Sequence, residues 1–177
     1  GLGVLKNLAM MILTLYGALA VFIIVVLGAV ALIIRLPVKR FILLVKEPAL
    51  LAFTTTSSES AFPMAMENME RLGVPRRIVS FVLPMGYSFN LDGSTLYLSL
   101  AAIFVAQASN IQLSLSQQLL ILLTLMLSTK GIAAVPRASL VVLAGTLAQF
   151  GLPLEGIAVI LGVDELMDMA RTSTNVV

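Results

Sequence analysis

The chain of 177 residues contains no cysteine, no histidine and no tryptophan. Without thiols or imidazoles, disulfides, Cys/His metal sites and a histidine proton relay are all excluded. Charge is scarce too. Only 11% of the residues are charged and 59% are hydrophobic, whereas soluble domains run at roughly a quarter charged. From Asn7 to Ile34 no residue is charged, and only Asn7, Thr14 and Tyr16 carry polar side chains. A bilayer span needs about 20 apolar residues, so this run is long enough to cross with some tilt. It is too long for a secretory signal, and no small-residue cleavage site follows it.

Lysine and arginine are absent around Ala108–Gln118 and Phe150–Gly156. In contrast, Arg35, Lys39, Arg40 and Lys46 follow the first span, and Arg71, Arg76 and Arg77 precede the next long apolar stretch. The positive-inside rule puts both basic clusters in the cytoplasm and the bare loops outside. The expectation is a multi-pass protein of the cell membrane, with the lipid bilayer as its solvent. A net charge of +2 and a pI near 9.2 do not indicate a nucleic-acid partner. The first residue is not Met and the last falls inside an apparent helix, so part of a longer protein is expected.

The apolar segments fall into an ordered series within an all-α membrane fold. Gly3–Ile34 reads as a transmembrane helix. Phe41–Phe53 is apolar but only 13 residues long, too short to span. It runs into Thr54-Thr55-Thr56-Ser57-Ser58-Glu59-Ser60, after which Pro63–Leu72 resumes a helical pattern. With basic clusters at both ends, residues 41–72 are expected to form a re-entrant hairpin with its polar tip inside the membrane. Residues 77–107 read as a span broken around Gly86–Ser94, a stretch of turn-forming Gly, Asn and Asp. Residues 117–150 read as a second re-entrant hairpin, entering from outside, and 154–177 as a last, polar helix. Irregular backbone at membrane depth survives only where protein or a water-filled cavity satisfies it. Two interrupted units entering from opposite faces suggest the inverted-repeat architecture of secondary transporters, with the site at the midplane.

The last helix is the most informative. Asp164, Asp168, Arg171, Thr172 and Asn175 fall within an arc of roughly 100° at the helical period, while Ser173 and Thr174 point elsewhere. At the bilayer centre Asp164, Glu165, Asp168 and Arg171 would cost roughly 10–14 kcal/mol, and the nine Leu, Ile and Val residues of this helix return only about 3–5. The stripe must therefore face protein or water. One reading is a packing ion pair between Asp168 and Arg171, one turn apart; the other is a functional site, the default for ionisable residues inside a membrane. In the broken span, Gly86, Ser88, Asn90 and Asp92 offer carbonyls and hard oxygens suited to small hard cations. The tip Thr54–Ser60 offers hydroxyls and the amides that begin a half-helix, which attract anions. The second tip, Thr129–Ser139, contains Gly131 and Pro136 and could hinge as a lid.

Four runs carry a family resemblance: Thr56-Ser57-Ser58-Glu59-Ser60-Ala61-Phe62-Pro63, Gly86-Tyr87-Ser88-Phe89-Asn90-Leu91-Asp92-Gly93-Ser94, Gly131-Ile132-Ala133-Ala134-Val135-Pro136, and Asp164 through Asp168-Met169-Ala170-Arg171-Thr172-Ser173-Thr174-Asn175-Val176. In order and spacing the chain resembles the dicarboxylate/amino acid:cation symporter family, the glutamate transporters, and in particular bacterial glutamate/aspartate symporters. The resemblance implies a trimer whose protomers pair a scaffold with a mobile, elevator-like transport domain. Residues 1–177 would be a partial transport domain, with most of the scaffold helices and the end of the last helix absent. It also implies roles. Arg171 would pair with the substrate's side-chain carboxylate, Asp168 would hold its amino group, Thr172 and Asn175 would complete the pocket, and Ser58 would offer its amide to the main carboxylate. Gly86, Asn90, Asp92 and Asn175 would bind one cation; Ser88, Leu91 and the Thr129 region would form another cation site. No cofactor is implied beyond the coupling ion.

Three departures from the family pattern matter. Leu91 and Ser94 replace the Met and Thr of the Asn-Met-Asp-Gly-Thr run common in sodium-coupled members, and Leu occurs there in proton-coupled ones, so sodium and proton coupling both stay open. Position 137 is Arg where relatives commonly have Gly or Gln. A further cation-site carboxylate would lie four residues beyond Asn175. Asp168 favours an amino acid over a four-carbon dicarboxylate. A rival of another class is an intramembrane protease, with Asp92 paired to Asp164 or Asp168, or Ser128 to Lys130; its aspartyl form needs two carboxylates sharing a proton, which the cation Arg171 beside Asp168 opposes. Arg137 and Glu59, one at each hairpin tip, are expected to pair when the lid closes.

Overall fold

The computed structural model describes residues 2–130, 132 and 138–177, and among these every regular element is helical. Helix α1, Leu2–Ile33, is long and apolar enough to cross a membrane, with Lys6 as its single charged residue. Only the stripe Leu8, Met11, Leu15 and Leu19 is buried, while Leu5, Leu13, Ile24, Leu32 and Ile33 stay exposed. A helix of this kind is at home only in a solvent as apolar as its own surface. One π-helical turn, Phe22–Leu27, interrupts it.

Helices α2, Val38–Thr55, and α3, Ser58–Leu72, form a close antiparallel hairpin. Its turn is two residues long. Thr56 takes the left-handed conformation that ends α2, and extended Ser57 caps α3 by accepting the Ser60 N–H on its Oγ. Thr54 and Thr55 thus belong to the last turn of α2, their hydroxyls bonded back to Leu50 and Leu51 carbonyls, so the tip is shorter than the hydroxyl run suggests. Inside α2, Pro48 has no N–H to give to the Leu44 carbonyl. Asn68 of α3 fills that gap, with its Nδ2 donating to Leu44 O at 2.7 Å. Gly73, at φ 114°, ends α3.

Helix α4, Arg76–Phe89, and helix α5, Asp92–Ala108, are separated only by Asn90 and Leu91. Together they make a second unit, Arg76–Ala108, long and apolar enough to cross a membrane. The break is narrower than the Gly-, Asn- and Asp-rich run around it. Gly86 and Ser88 remain helical, because the Asn90 N–H still reaches Gly86 O at 2.8 Å. Helices α6, Leu115–Ser128, and α7, Ala138–Gln149, pack on each other and on α5.

The stretch from Leu154 onward, readable as a single helix, is two: α8, Gly156–Leu161, and α9, Asp164–Val176. Gly162 and Val163 interrupt it, and Asp164 and Glu165 then occupy the first turn of α9, where acidic groups are favoured by the helix dipole. Helix α5 is the core element, with Tyr97, Leu98, Ala101, Ala102 and Val105 fully buried. Helix α9 lies against α1, α2, α3 and α5. Tyr16 donates to Leu166 O at 2.8 Å and Ser173 to Ala49 O at 2.9 Å, tying α9 to α1 and α2.

The Pro48–Leu44–Asn68 arrangement makes a prediction. Asn68→Leu strands a part-buried carbonyl and should cost about 1–3 kcal/mol. Pro48→Ala supplies a new N–H to the same carbonyl, so it should recover part of the loss in the double variant. A double-mutant cycle on thermal unfolding of the full-length protein in detergent reads this out. Additivity within about 0.5 kcal/mol would show that the two residues do not share that carbonyl.

Candidate functional site

The site is built where α9 crosses the start of α5. Gly93 makes the crossing possible: a Cβ there would lie 2.4 Å from Arg171 O and 2.9 Å from Asn175 Oδ1. At that distance Asn175 caps α5 from outside. Its Oδ1 accepts from Gly93 N at 2.8 Å and Ser94 N at 3.3 Å, and its Nδ2 donates to Ser94 Oγ at 2.9 Å. Two of the orphan amides that open α5 are satisfied in this way.

One turn along α5 from Gly93, Tyr97 lies fully buried beneath the stripe of α9. The Arg171 guanidinium stacks on its ring, 4.5 Å from the centroid. The Tyr97 hydroxyl donates to Asp164 Oδ1 at 2.6 Å. Asp168 accepts twice on one oxygen: Arg171 Nε donates to Oδ1 at 3.0 Å and Thr172 Oγ1 donates to it at 2.6 Å. The ion pair one turn apart is therefore present, but it uses only one edge of the guanidinium. Arg171 is 4% exposed, and its Nη1 has no hydrogen-bond partner among the described residues. A buried charged donor left unpaired is costly, and the matching chemistry is a planar anionic oxygen pair such as a carboxylate.

Asp164, Asp168, Arg171 and Thr172 thus share one network with Tyr97, which the stripe alone did not reveal. The signal was available: Tyr97 follows Gly93 by one turn and so shares the face that a close neighbour would touch. Ser58 is half-buried at the first position of α3, and no hydrogen bond joins it to this network among the described residues. Asp92 is half-buried in the first turn of α5, and Asn90 is exposed at the break. Leu91 O accepts both the Thr95 N–H and the Thr95 Oγ1 hydroxyl, each at 3.0 Å. Thr95 Oγ1 lies 3.3 Å from Thr129 Oγ1, so Leu91 and Thr129 are linked through a residue the motif did not single out. Lys130 donates its ammonium to Phe89 O, in the last turn of α4. Gly131, Pro136 and Arg137 lie outside the described residues, and with them the hinged lid and the pairing of Arg137 with Glu59.

Tyr97→Phe keeps the ring under Arg171 but leaves the buried Asp164 carboxylate without its donor. It should lower stability by about 1–3 kcal/mol, and Asp164→Asn in the same background should recover part of that by removing the charge. Thermal unfolding of both variants checks it; a neutral Tyr97→Phe would show that the bond contributes nothing.

Comparison with known proteins gives a consistent picture. The model of the sodium:dicarboxylate symporter family matches residues 1–177. The chain is 52% identical, over all of its length and 40% of the relative's, to the proton/glutamate-aspartate symporter of Escherichia coli. It is 51% identical to the proton/sodium-glutamate symport protein of Bacillus subtilis, covering 99% of this chain and 41% of that one. A C4-dicarboxylate transport protein of Edwardsiella ictaluri is 44% identical over 100% of this chain and 42% of its own. The chain thus spans well under half the length of these relatives.

Proposed function

This chain belongs to the sodium:dicarboxylate symporter family, and from that premise we propose that it is the substrate-carrying part of a secondary active transporter for glutamate and aspartate. The family is one of symporters, not enzymes, so membership places the chain in a membrane and sets the protease readings aside. The observation that carries the substrate assignment is the buried Arg171 Nη1, unpartnered among the described residues and held beside a fixed Asp168. An acidic amino acid offers both a carboxylate for the guanidinium and an ammonium for Asp168. In this reading Thr172 fixes Asp168, Ser58 offers its amide to the main carboxylate from the start of α3, and Asn175 reaches the substrate by exchanging its bonds to Gly93 and Ser94.

The break offers two cation positions, one formed by Gly86, Asn90 and Asp92 with Asn175, the other by Ser88, Leu91 and Thr129. Sodium is the favoured coupling ion because the donors are hard oxygens. The names of the bacterial relatives mention both sodium and protons. The hairpins α2–α3 and α6–α7 are re-entrant, entering from opposite faces, and the second acts as the lid. The transport domain moves like an elevator within a homotrimer in the bacterial cell membrane. A four-carbon dicarboxylate is the second reading, favoured by the likeness to a C4-dicarboxylate transport protein.

Uptake of labelled aspartate, glutamate and succinate by the full-length protein in liposomes separates these readings, with sodium and proton gradients imposed one at a time. Aspartate or glutamate should accumulate on a sodium gradient; accumulation on a pH gradient alone would reverse the ion assignment. Arg171→Ala should abolish acidic-substrate uptake. Asp168→Ser should weaken aspartate by about 3–5 kcal/mol, the cost of leaving a buried charge unpaired, and succinate far less. Equal losses for the two substrates would favour the dicarboxylate reading.

A further inference from the structure

We propose that the ammonium of Lys130 is a tethered cation that takes the place of a transported one at the carbonyl end of α4. The proposal rests on the transport reading above and specifies how many cation positions at the break remain for ions from solution.

The last turn of a helix leaves carbonyls without intrahelical donors, and the helix dipole makes that end electronegative. At the end of α4 these oxygens are the natural ligands for a small monovalent cation. Three carbonyls around the break already have donors. Gly86 O takes the Asn90 N–H at 2.8 Å, and Leu91 O takes both the N–H and the hydroxyl of Thr95. Phe89 O, lying between Ser88 and Asn90 in sequence, takes Lys130 Nζ. Of these donors, only Lys130 brings a full positive charge.

The lysine is delivered by a fixed neighbour. Thr129 is fully buried, donates to Met126 O at 3.2 Å, and lies 3.3 Å from Thr95 Oγ1 on α5. This anchors the end of α6 against the start of α5, and the next residue reaches across to α4, 41 positions back in the chain. An ammonium and a sodium ion carry the same charge and seek the same carbonyl oxygens, so each excludes the other by repulsion and by competition for ligands. With Lys130 in place, the position shared by Ser88, Leu91 and Thr129 is neutralised from within, and its charge stays with the protein throughout the cycle. The cluster of Asn90 and Asp92 remains for an ion from solution.

The test uses the full-length protein purified in detergent and three variants. Lys130→Met removes the charge, Lys130→Gln removes it but keeps a hydrogen-bond donor, and Lys130→Arg keeps it. Unfolding temperature is followed as sodium chloride replaces choline chloride at constant ionic strength, without substrate. A ligand that binds only the folded state raises the unfolding temperature by mass action. Lys130→Met and Lys130→Gln should therefore show a sodium-dependent rise beyond that of the parent, while Lys130→Arg follows the parent. Should Lys130→Met fail to fold, the Gln and Arg variants make the same comparison. Sodium titrations of the neutral variants that superimpose on the parent's, or a gain in Lys130→Arg equal to theirs, would overturn the proposal. Because no substrate enters this measurement, a parent that fails to take up aspartate or glutamate refutes the transport reading alone.

Discussion

Gly93 holds α5 and α9 closer together than any side chain would permit, and the polar network at the centre of the molecule depends on that approach. It brings the Asn175 amide onto the first turn of α5 and Tyr97 beneath Arg171. The guanidinium is then confined between the Tyr97 ring and the Asp168 carboxylate, which accepts from its Nε. A larger residue at position 93 would displace the Arg171 backbone itself, because the nearest atom is a main-chain oxygen and not the end of a flexible side chain.

Around this contact the chain follows one rule of an apolar solvent: polar groups withdrawn from water find partners inside the protein. Pro48 withholds an N–H from Leu44, and Asn68 replaces it. Asp164, buried, takes the Tyr97 hydroxyl. Thr172 and Arg171 share one oxygen of Asp168. Against that background Arg171 Nη1 stands out, since it is buried and unpartnered among the described residues. Tyr87 Oη is the other buried side-chain polar atom without a partner among the described residues, but only Arg171 Nη1 belongs to a charged group.

Much of the architecture was legible along the chain. The charge-free run that becomes α1, the short apolar halves on either side of the Thr54–Ser60 tip, an interruption within Gly86–Ser94, and the one-sided polarity of α9 all follow from local composition and period. Details of the ends were less legible. Thr54 and Thr55 look like loop residues but bond back into α2. Gly162 and Val163 divide a segment that reads as continuous, because the carboxylates after them stabilise a new helix start more than they disturb an old helix interior.

The sequence by itself determined that the chain is helical and apolar, that its first hairpin and its second long span are interrupted, and which face of α9 carries charge. Each of these is a property of neighbours within a few turns, set by helix geometry and by the cost of placing charge in hydrocarbon. Tertiary structure decided which groups meet. Tyr97 with Asp164 is a pairing across 67 positions, Asn175 with Gly93 across 82, and Lys130 with Phe89 across 41. No period in the chain encodes those distances. They arise only when α9 and the end of α6 are packed against the broken span, and that packing turns a stripe of polar residues into a site with one guanidinium edge held open.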